Sequence, residues 1–445
     1  MKSAVPKFIA NMKQSATLTI NTLALEMESQ GTKVYRLGFG QSPFPIPAFL
    51  VEAMRRHAHR GEYTPVSGIL PLRQAIARKY SLRDGRDIRP ENVLIAPGSK
   101  ELLYLLQLAC LDANVYMPGP SWVSYPAQAE MLQKKTTFVQ TTYEEGWKVN
   151  PQNLSCLKAD SCENKLLFLN YPSNPTGLSF SREELSALAS LLKETGTVAL
   201  CDEIYQDTHF EQGEQAPSLA QVLPAQSIIC SGFSKSFAAG GWRLGYFVFP
   251  PELSHICKAM ASLASETYSC APTPMQYAAL DSLTQLEDPA SPTSHALSIY
   301  HLKQRLIMHK LGSLCTSLLN KARIRTHTPD GGFYIFPDFH HHMGALKARG
   351  VTDGGQLCRQ ILSSKAVTLL PSEDFRVAGD DLQVRLCFVH FDGAAALEAC
   401  PLPVGTGMGA DGAEGEIDEA WLRAHCGDVV TGVERICEWA DELYK

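Results

Sequence analysis

The segment Ser231-Gly-Phe-Ser-Lys-Ser-Phe-Ala-Ala-Gly-Gly-Trp-Arg-Leu-Gly-Tyr246 places a lysine, Lys235, and an arginine, Arg243, between two short apolar runs. The runs, Ile228-Ile-Cys230 and Tyr246-Phe-Val-Phe249, have the length and composition of buried strands. In open α/β sheets, ligands bind beyond the carboxyl ends of the strands. The segment therefore predicts a sheet in which Lys235 and Arg243 face a ligand cleft at the carboxyl ends of the strands.

The chain on both sides of this segment alternates short apolar runs with helix-like stretches. This alternation is typical of an α/β fold, and we expect a large domain with a mainly parallel sheet covered by helices. Ser181 and Glu184 form a capping-box pattern that predicts a helix over 182–194, and a second helix is expected over 100–111. The candidate strands of this sheet are residues 93–96, 115–117, 166–169, 198–201, 228–230 and 246–249.

The pattern changes after about residue 300, where the alternation of strands and helices stops. We expect a smaller α+β domain in this part of the chain. Its expected elements are a long helix at 300–320, strands at 323–325, 333–336 and 384–388, and a helix-like segment at 417–442.

These patterns predict three regions along the chain. Residues 1–47 form an N-terminal arm and part of the small domain, residues 48–300 form the large domain, and residues 301–445 form the small C-terminal domain. Within the last region, residues 404–415 are predicted to be a flexible loop, because such glycine-rich sequence buries too little apolar surface to order itself.

Composition excludes several classes of partner. The chain has 445 residues with 40 basic and 46 acidic side chains, and its net charge of -6 disfavours a nucleic-acid partner. Its 13 cysteines form no CxxC pair, which favours free thiols in a reducing compartment. The first 30 residues contain no apolar run long enough for a signal peptide or a membrane span, so we expect a cytoplasmic protein without membrane contact. The run His340-His-His342 has no cluster of carboxylates beside it, and adjacent residues on a strand or loop point apart, so a polar surface loop is favoured and no metal site is predicted.

Reactive side chains follow most of the candidate strands of the large sheet. A carboxylate at a strand end can keep a pyridine nitrogen protonated, and a desolvated lysine beside other cations can form a Schiff base. A helix that begins directly after a strand presents backbone N–H groups and its positive end to the cleft, which suits an anion such as phosphate. Together these side chains indicate pyridoxal phosphate chemistry. The residues concerned are Gly98, Ser99 and Lys100 after the first strand, Asn174, Asp202 and Tyr205 after the middle strands, and Lys235 and Arg243.

From about Ser15 to Gly393 the chain resembles the class I/II aminotransferases, which are fold-type I transferases dependent on pyridoxal 5'-phosphate. The resemblance rests on the segment 231–246 together with Asn170-Tyr-Pro-Ser-Asn-Pro-Thr-Gly177 and Asp202-Glu-Ile-Tyr205, in that order and spacing. It implies a transaminase that moves an amino group between an amino acid and a 2-keto acid by a ping-pong mechanism through a Lys235 Schiff base.

The resemblance also implies roles for individual residues. Lys235 would hold the cofactor and move the substrate proton, and Asp202 would pair with the pyridinium nitrogen. Tyr205 and Asn174 would donate hydrogen bonds to the ring phenolate. The remaining cofactor contacts implied are Gly98, Ser99, Lys100 and Arg243 at the phosphate, and Trp122 stacked on the ring.

Substrate and subunit contacts are implied by the same resemblance. Arg385 would pair with the substrate α-carboxylate, with a backbone group of Gly40 beside it. Tyr63 would reach the phosphate in the neighbouring subunit, which implies a homodimer with shared active sites. Asn174 and Trp122 would also border the substrate.

One sequence feature bears on substrate size. Met12-Lys-Gln-Ser-Ala-Thr17 together with Pro97-Gly-Ser-Lys100 resembles the bacterial-type aspartate/prephenate aminotransferases, in which the lysine can pair with a second carboxylate. Aspartate with 2-oxoglutarate is therefore favoured, with aromatic, alanine or methionine-type donors open. The chain departs from the family pattern at 38–47, the wall nearest the substrate side chain, and at Gly232, where some subgroups have a phosphate-binding serine.

Two other functions are compatible with parts of this pattern. A lyase or a cyclising synthase on the same fold would use the same cofactor contacts, because these contacts do not determine the step after proton abstraction. A nucleotide-binding dehydrogenase or a noncatalytic binding protein would need a GxGxxG turn directly after a strand, and no candidate strand of this sequence is followed by one.

Overall fold

The computed structural model describes residues 5–10, 16–211, 216–377, 382–402 and 415–445. The glycine-rich segment predicted at 404–415 lies outside these ranges except for Gly415, and so does the 12–15 part of the motif linked to substrate size. The helices are α1 Lys7–Ala10, α2 Ala16–Ser29, α3 Ala48–His57, α4 Leu70–Asp84, α5 Ser99–Ala109, α6 Ser124–Met131, α7 Cys156–Ala159, α8 Arg182–Glu194, α9 Leu219–Val222, α10 Ser254–Ser265, α11 Thr273–Leu286, α12 Pro292–Lys321, α13 Met343–Ala348, α14 Gly354–Lys365, α15 Gly393–Ala399, α16 Glu419–His425 and α17 Gly427–Glu442. The strands are β1 Tyr35–Arg36, β2 Val93–Ala96, β3 Asn114–Gly119, β4 Thr136–Gln140, β5 Lys165–Asn170, β6 Val198–Asp202, β7 Ser227–Gly232, β8 Gly245–Val248, β9 Tyr334–Ile335, β10 Val367–Thr368, β11 Leu370–Pro371 and β12 Val384–Cys387.

A seven-stranded sheet in the order β2-β8-β7-β6-β5-β3-β4 forms the large part of the molecule. The five neighbouring strands β7, β6, β5, β3 and β4 pair in parallel. Strand β8 runs antiparallel to both of its neighbours, β2 and β7. The expected α/β class with a mainly parallel sheet is therefore confirmed. The strand β4 was not predicted from the sequence, because it lies at the edge of the sheet and is only partly buried.

Helices cover both faces because successive strand residues point to opposite sides. Leu166 and Phe168 pack in one cluster with α5 and α10, whereas Leu167 and Leu169 pack in another with α8. The helix α8 has the predicted bounds, and its capping box is present: the Ser181 hydroxyl accepts from the Glu184 N–H, and the Glu184 carboxylate accepts from the Ser181 N–H.

The smaller sheet has the antiparallel order β11-β12-β9. Strand β1 pairs in parallel with β10, so the N-terminal part of the chain joins the C-terminal part. The 30-residue helix α12 lies across the boundary expected at 300. The helix-like segment at 417–442 consists of two helices, α16 and α17.

The expected strand at 323–325 is wrong. Arg323 has φ of 59°, in the left-handed region, and such a residue cannot continue an extended strand. Arg325 forms only an isolated antiparallel bridge with Asp338. The chain turns at Arg323 to leave the end of α12. Within the described ranges, no helix combines the length and the apolarity needed to cross a membrane.

Candidate functional site

A cavity of about 410 Å³ lies beyond the carboxyl ends of β5, β6 and β7 and extends to the small sheet. Its volume is within the range of roughly 300–1,000 Å³ that is usual for small-molecule sites. Ten of the twelve residues predicted from the sequence line it: Gly40, Ser99, Lys100, Trp122, Asn174, Asp202, Tyr205, Lys235, Arg243 and Arg385.

Gly98 lies directly behind one end of this cavity, where α5 begins. It has φ of +89°, and a Cβ atom there would overlap Nη2 of Arg243. A Cβ atom at Gly245 would overlap the Ser99 nitrogen. The two glycines thus allow the arginine and the start of α5 to approach each other. The N-terminal end of a helix beside a guanidinium group is suited to a phosphate.

Asp202 ends β6 and is 4% exposed. Its Oδ2 accepts a 2.5 Å hydrogen bond from the Tyr125 hydroxyl, and its Oδ1 accepts from the Ile204 N–H at 3.3 Å. Burial raises the pKa of Asp202 to about 6, and these hydrogen bonds only partly offset that effect. A buried carboxylate with this pKa is stabilised by any cationic group that enters the cavity.

Lys235 follows β7, and its Nζ donates a 3.0 Å hydrogen bond to the Gly40 carbonyl. The same amino group lies 5.5 Å from the centre of the Tyr205 ring and 5.1 Å from that of Phe333. Burial, reinforced by the charge of Arg385, lowers the pKa of Lys235 to about 8. The amine is therefore far more nucleophilic at neutral pH than an ordinary lysine.

Tyr205 and Tyr334 form a buried pair whose hydroxyl oxygens are 2.7 Å apart. Tyr205 follows β6 of the large sheet, and Tyr334 belongs to β9 of the small sheet. Burial is the main cause that raises the pKa of both phenols, so both keep their protons at neutral pH.

Arg385 lies on β12 and is 1% exposed. Its Nη1 donates to Oδ1 of Asn174 at 3.0 Å, and its Nη2 donates to the Gly38 carbonyl at 2.7 Å. The guanidinium lies 5.0 Å from the centre of the Tyr334 ring, and its buried Nε has no partner among the described residues. Since a buried donor without a partner is costly, this guanidinium is suited to binding a carboxylate.

Asn174 is held by contacts on two sides. Its backbone N–H donates to Oδ1 of Asn170 at 2.7 Å, and Nδ2 of Asn170 donates to the Asp202 carbonyl at 2.9 Å. Because Arg385 donates to Oδ1 of Asn174, the amide NH₂ of Asn174 is the group left to donate to a ligand.

Lys100 lies over Trp122, with Nζ 5.0 Å from the ring centre. Burial is the main cause that lowers the pKa of Lys100, and the nearby Arg243 adds to it. A cation at this end of the cavity can pair either with a phosphate or with a carboxylate of a bound substrate.

Tyr63 does not lie at this cavity. It is 89% exposed, and the neighbouring Glu62 carbonyl accepts a hydrogen bond from the Thr273 hydroxyl. The side chain therefore projects from the surface of the molecule into solvent.

Among the polar residues that line the cavity and were not predicted from the sequence are three that contact predicted site residues or the strands beside them. Tyr125 lies only three residues after Trp122, and Asn170 begins a quoted motif, so both were visible in the sequence. Tyr334 carried no such signal, because its importance depends on a contact between the two sheets.

Comparison with known proteins agrees with this geometry. The family described as "Aminotransferase class I and II" matches residues 32–400. The chain belongs to this family. It is a fold-type I aminotransferase, and enzymes of this family depend on pyridoxal phosphate. The expected cofactor, enzyme class and subgroup are thereby confirmed.

Individual members of the family resemble the chain over most of its length. The aspartate aminotransferase of Bacillus subtilis is 30% identical over 389 residues, which cover 86% of this chain and 93% of that protein. The aspartate/prephenate aminotransferase of Thermus thermophilus is 33% identical over 74% of this chain and 82% of its own length. The structure of the aspartate aminotransferase from Thermus thermophilus with maleate superposes with a TM-score of 0.77 at 30% identity, covering 89% of this chain and 98% of that one.

The residues of this aminotransferase fit its cofactor. The close approach of Gly98 to Arg243 makes a place for the phosphate, and a pyridinium can supply the buried Asp202 carboxylate with a cationic partner. Lys235, with its lowered pKa, lines the same cavity. Trp122 borders the cavity as an aromatic wall for a planar ring.

Proposed function

We propose that the enzyme transfers the amino group of aspartate to 2-oxoglutarate in two half-reactions at one cavity. The observation that carries the proposal is the position of Arg385, whose buried Nε has no partner among the described residues, in the same cavity as the Lys235 amine. An α-carboxylate paired with Arg385 brings the attached Cα toward Lys235.

Bound pyridoxal phosphate supplies an aldehyde and an electron-withdrawing ring. In the proposed mechanism Lys235 Nζ first holds the cofactor, and it then takes the proton from the substrate Cα. Asp202 keeps the pyridine nitrogen protonated through its carboxylate, whose ionised form this contact stabilises. Tyr205 and the NH₂ group of Asn174 donate to the ring oxygen. Arg243 and the start of α5, at Gly98, Ser99 and Lys100, bind the phosphate.

The carbonyl of Gly40 gives the released Lys235 amine a fixed position. The two groups are 3.0 Å apart, and the ammonium form of the lysine makes the stronger hydrogen bond. Gly40 thus holds Lys235 beside the carboxylate site while the proton is transferred.

Both substrates of the proposed reaction carry an α-carboxylate and require Arg385. They cannot occupy the cavity together, so the amino acid must leave as its keto acid before the second keto acid enters. This exclusion is the physical reason for a ping-pong mechanism.

Selection of a dicarboxylic substrate is assigned to Lys100. Its Nζ lies over Trp122 at the border of the cavity, where it can meet a second carboxylate. The Thermus thermophilus aspartate aminotransferase was solved with maleate, a dicarboxylate, and its similarity to this chain supports the assignment.

The active form is proposed to be a homodimer. Tyr63 stands 89% exposed on a segment that contacts the start of α11, and its phenol is accessible to a second subunit. In the dimer each Tyr63 would donate to the phosphate held by the other subunit.

The absorbance spectrum of the protein loaded with pyridoxal phosphate tests the reaction type. Aspartate or glutamate without an acceptor should shift the visible band to the pyridoxamine form, and a keto acid should restore it. Ammonia released while the band persists would identify a lyase instead, and the absence of a band would contradict the cofactor assignment.

A further inference from the structure

Either phenol of the buried pair at the border between the two sheets could donate the hydrogen bond that joins them, and the surroundings favour one direction. The Tyr334 hydroxyl has one hydrogen-bond partner among the described residues, the Tyr205 hydroxyl at 2.7 Å. Both residues line the cavity, but the backbone of Gly40 closes one side of the Tyr334 hydroxyl, whereas Tyr205 can donate to a ligand there. If Tyr205 donated to Tyr334, the Tyr334 proton would have no acceptor among the described residues. This arrangement favours Tyr334 as the donor and Tyr205 as the acceptor.

The charge around the pair favours the same direction. The Arg385 guanidinium lies 5.0 Å from the centre of the Tyr334 ring and is the main influence that opposes the rise in the pKa of Tyr334 caused by burial. Arg385 also lowers the pKa of Tyr205, but there Tyr334 and Asp202 add to the rise caused by burial. A permanent cation beside a phenol makes that phenol the better hydrogen-bond donor.

Tyr334 has little freedom to leave this arrangement. A Cβ atom at Gly40 would overlap its hydroxyl oxygen, so the backbone of Gly40 closes one side of the phenol. Its own strand pairs with the strand of Arg385, with Tyr334 opposite Cys387. The phenol is thus fixed between the small sheet and Gly40.

We propose that Tyr334 is a positioning residue that aims the single proton of Tyr205 into the cavity, toward the ring oxygen of the cofactor. This inference rests on the proposed function, since it assumes that Tyr205 donates to that oxygen. In this mechanism Tyr334 acts through Tyr205: by donating to one lone pair of the Tyr205 oxygen, it leaves the Tyr205 proton directed at the ligand.

The test is the pH dependence of the visible band of the pyridoxal phosphate-loaded protein, measured without substrate. A donor to the ring oxygen withdraws negative charge from it and makes the neighbouring protonated nitrogen more acidic. Tyr334→Phe should therefore raise the midpoint of the band's pH titration by about 0.5–1 pH unit, the shift expected for weakening one hydrogen bond.

A double-variant cycle separates positioning from general structural damage. Tyr205→Phe should raise the midpoint of the pH titration further than Tyr334→Phe does. The double variant Tyr205→Phe/Tyr334→Phe should have the same midpoint as Tyr205→Phe alone. A shift that adds fully to that of Tyr205→Phe, or no shift in the single variant, would overturn the inference while the band itself upholds the cofactor assignment. A protein without a band would contradict the proposed function and this inference together.

The chain provides a matched control in a second buried phenol pair. The hydroxyls of Tyr80 and Tyr246 are 3.2 Å apart, and neither residue lines the cavity. Tyr80→Phe should leave the midpoint unchanged. If Tyr334→Phe does not fold, Tyr334→3-fluorotyrosine keeps the ring and its hydroxyl and makes that hydroxyl a stronger donor. This variant should lower the midpoint of the pH titration. An unchanged or raised midpoint would contradict the inference.

Discussion

The Lys235 amine and the Gly40 carbonyl are joined by a 3.0 Å hydrogen bond, although 195 residues separate them along the chain. Lys235 belongs to the loop after β7, and Gly40 lies shortly after β1, which pairs with the C-terminal part of the chain. The contact therefore brings the proposed catalytic amine against the segment that borders the substrate carboxylate.

Replacement of this lysine is expected to abolish turnover. Lys235→Ala should lower kcat by at least about 10²–10⁴-fold, because proton transfer by a positioned base contributes that much. Steady-state assays with aspartate and 2-oxoglutarate provide the measurement. The exposed Lys258 on α10 is a control, and Lys258→Ala should retain full activity. Transamination by Lys235→Ala at the wild-type rate would refute the mechanism.

The nucleophilicity of Lys235 should depend on pH in the cofactor-free protein. Burial and the charge of Arg385 lower its pKa to about 8, so the neutral amine should become dominant as the pH rises through 8. The rate of reaction with an amine-specific reagent, observed at Lys235 by mass spectrometry, should reach half its maximum near that pH. Arg385→Gln should move this midpoint upward because it removes a cation. A midpoint near 10.4, as in a model peptide, would contradict this environment of the amine.

Asp202 should lower the stability of the cofactor-free protein. Its folded-state pKa of about 6 exceeds the ordinary value of 3.8, so the folded state binds more protons and loses stability as pH rises from about 4 to 6. The cost at pH 7 is about 3 kcal/mol. Asp202→Asn should therefore raise the urea midpoint of unfolding of the cofactor-free protein at pH 7, and this increase should disappear near pH 4. The same variant should have weaker cofactor-dependent activity.

Asp160 is the opposite case and serves as the control for Asp202. Its carboxylate accepts hydrogen bonds from Asn114 and Tyr116, which lower its pKa. Asp160→Asn should therefore destabilise the protein at neutral pH without affecting the cofactor. If Asp202→Asn and Asp160→Asn destabilised the protein equally at neutral pH, the opposite pKa shifts assigned to the two carboxyl groups would be wrong.

Lys100 should distinguish dicarboxylic from monocarboxylic donors. Loss of a charge-assisted contact is expected to lower kcat/KM for aspartate by roughly 10–100-fold in Lys100→Ala. Alanine, which has no second carboxylate, should be much less affected. Equal losses for both amino acids, accompanied by weaker cofactor binding, would assign Lys100 to the phosphate instead.

Tyr63 can be tested by mixing two defective variants. A heterodimer of Lys235→Ala and Tyr63→Phe subunits should contain one intact site, formed by Lys235 of one subunit and Tyr63 of the other. Activity should therefore rise when the two variants are unfolded and refolded together. If Tyr63 served the site of its own subunit, or none, the mixture would be no more active than its parts. Lys235→Ala refolded with the double variant Lys235→Ala/Tyr63→Phe should regain nothing.

Local patterns predicted most of the large sheet. The apolar runs at 93–96, 166–169 and 198–201 are strands because each is short, uninterrupted and buried on both faces. The polar residues after them converge because parallel strands end at one edge. The small sheet was less visible, since its strands have only two to four residues and depend on partners far along the chain.

The succession of strands along the chain, the bounds of α8 and the positions of Lys235, Asp202 and Arg243 relative to their strands were determined by the sequence itself, because each depends on neighbours within a few residues. Only the tertiary structure decided that Tyr125 donates to Asp202, that Tyr334 meets Tyr205, and that Arg385 lies close enough to help lower the pKa of Lys235. Those relationships join residues that are 77, 129 and 150 positions apart in the numbering. Hydrogen bonds and desolvation depend on distances in space, which no local pattern of residues specifies.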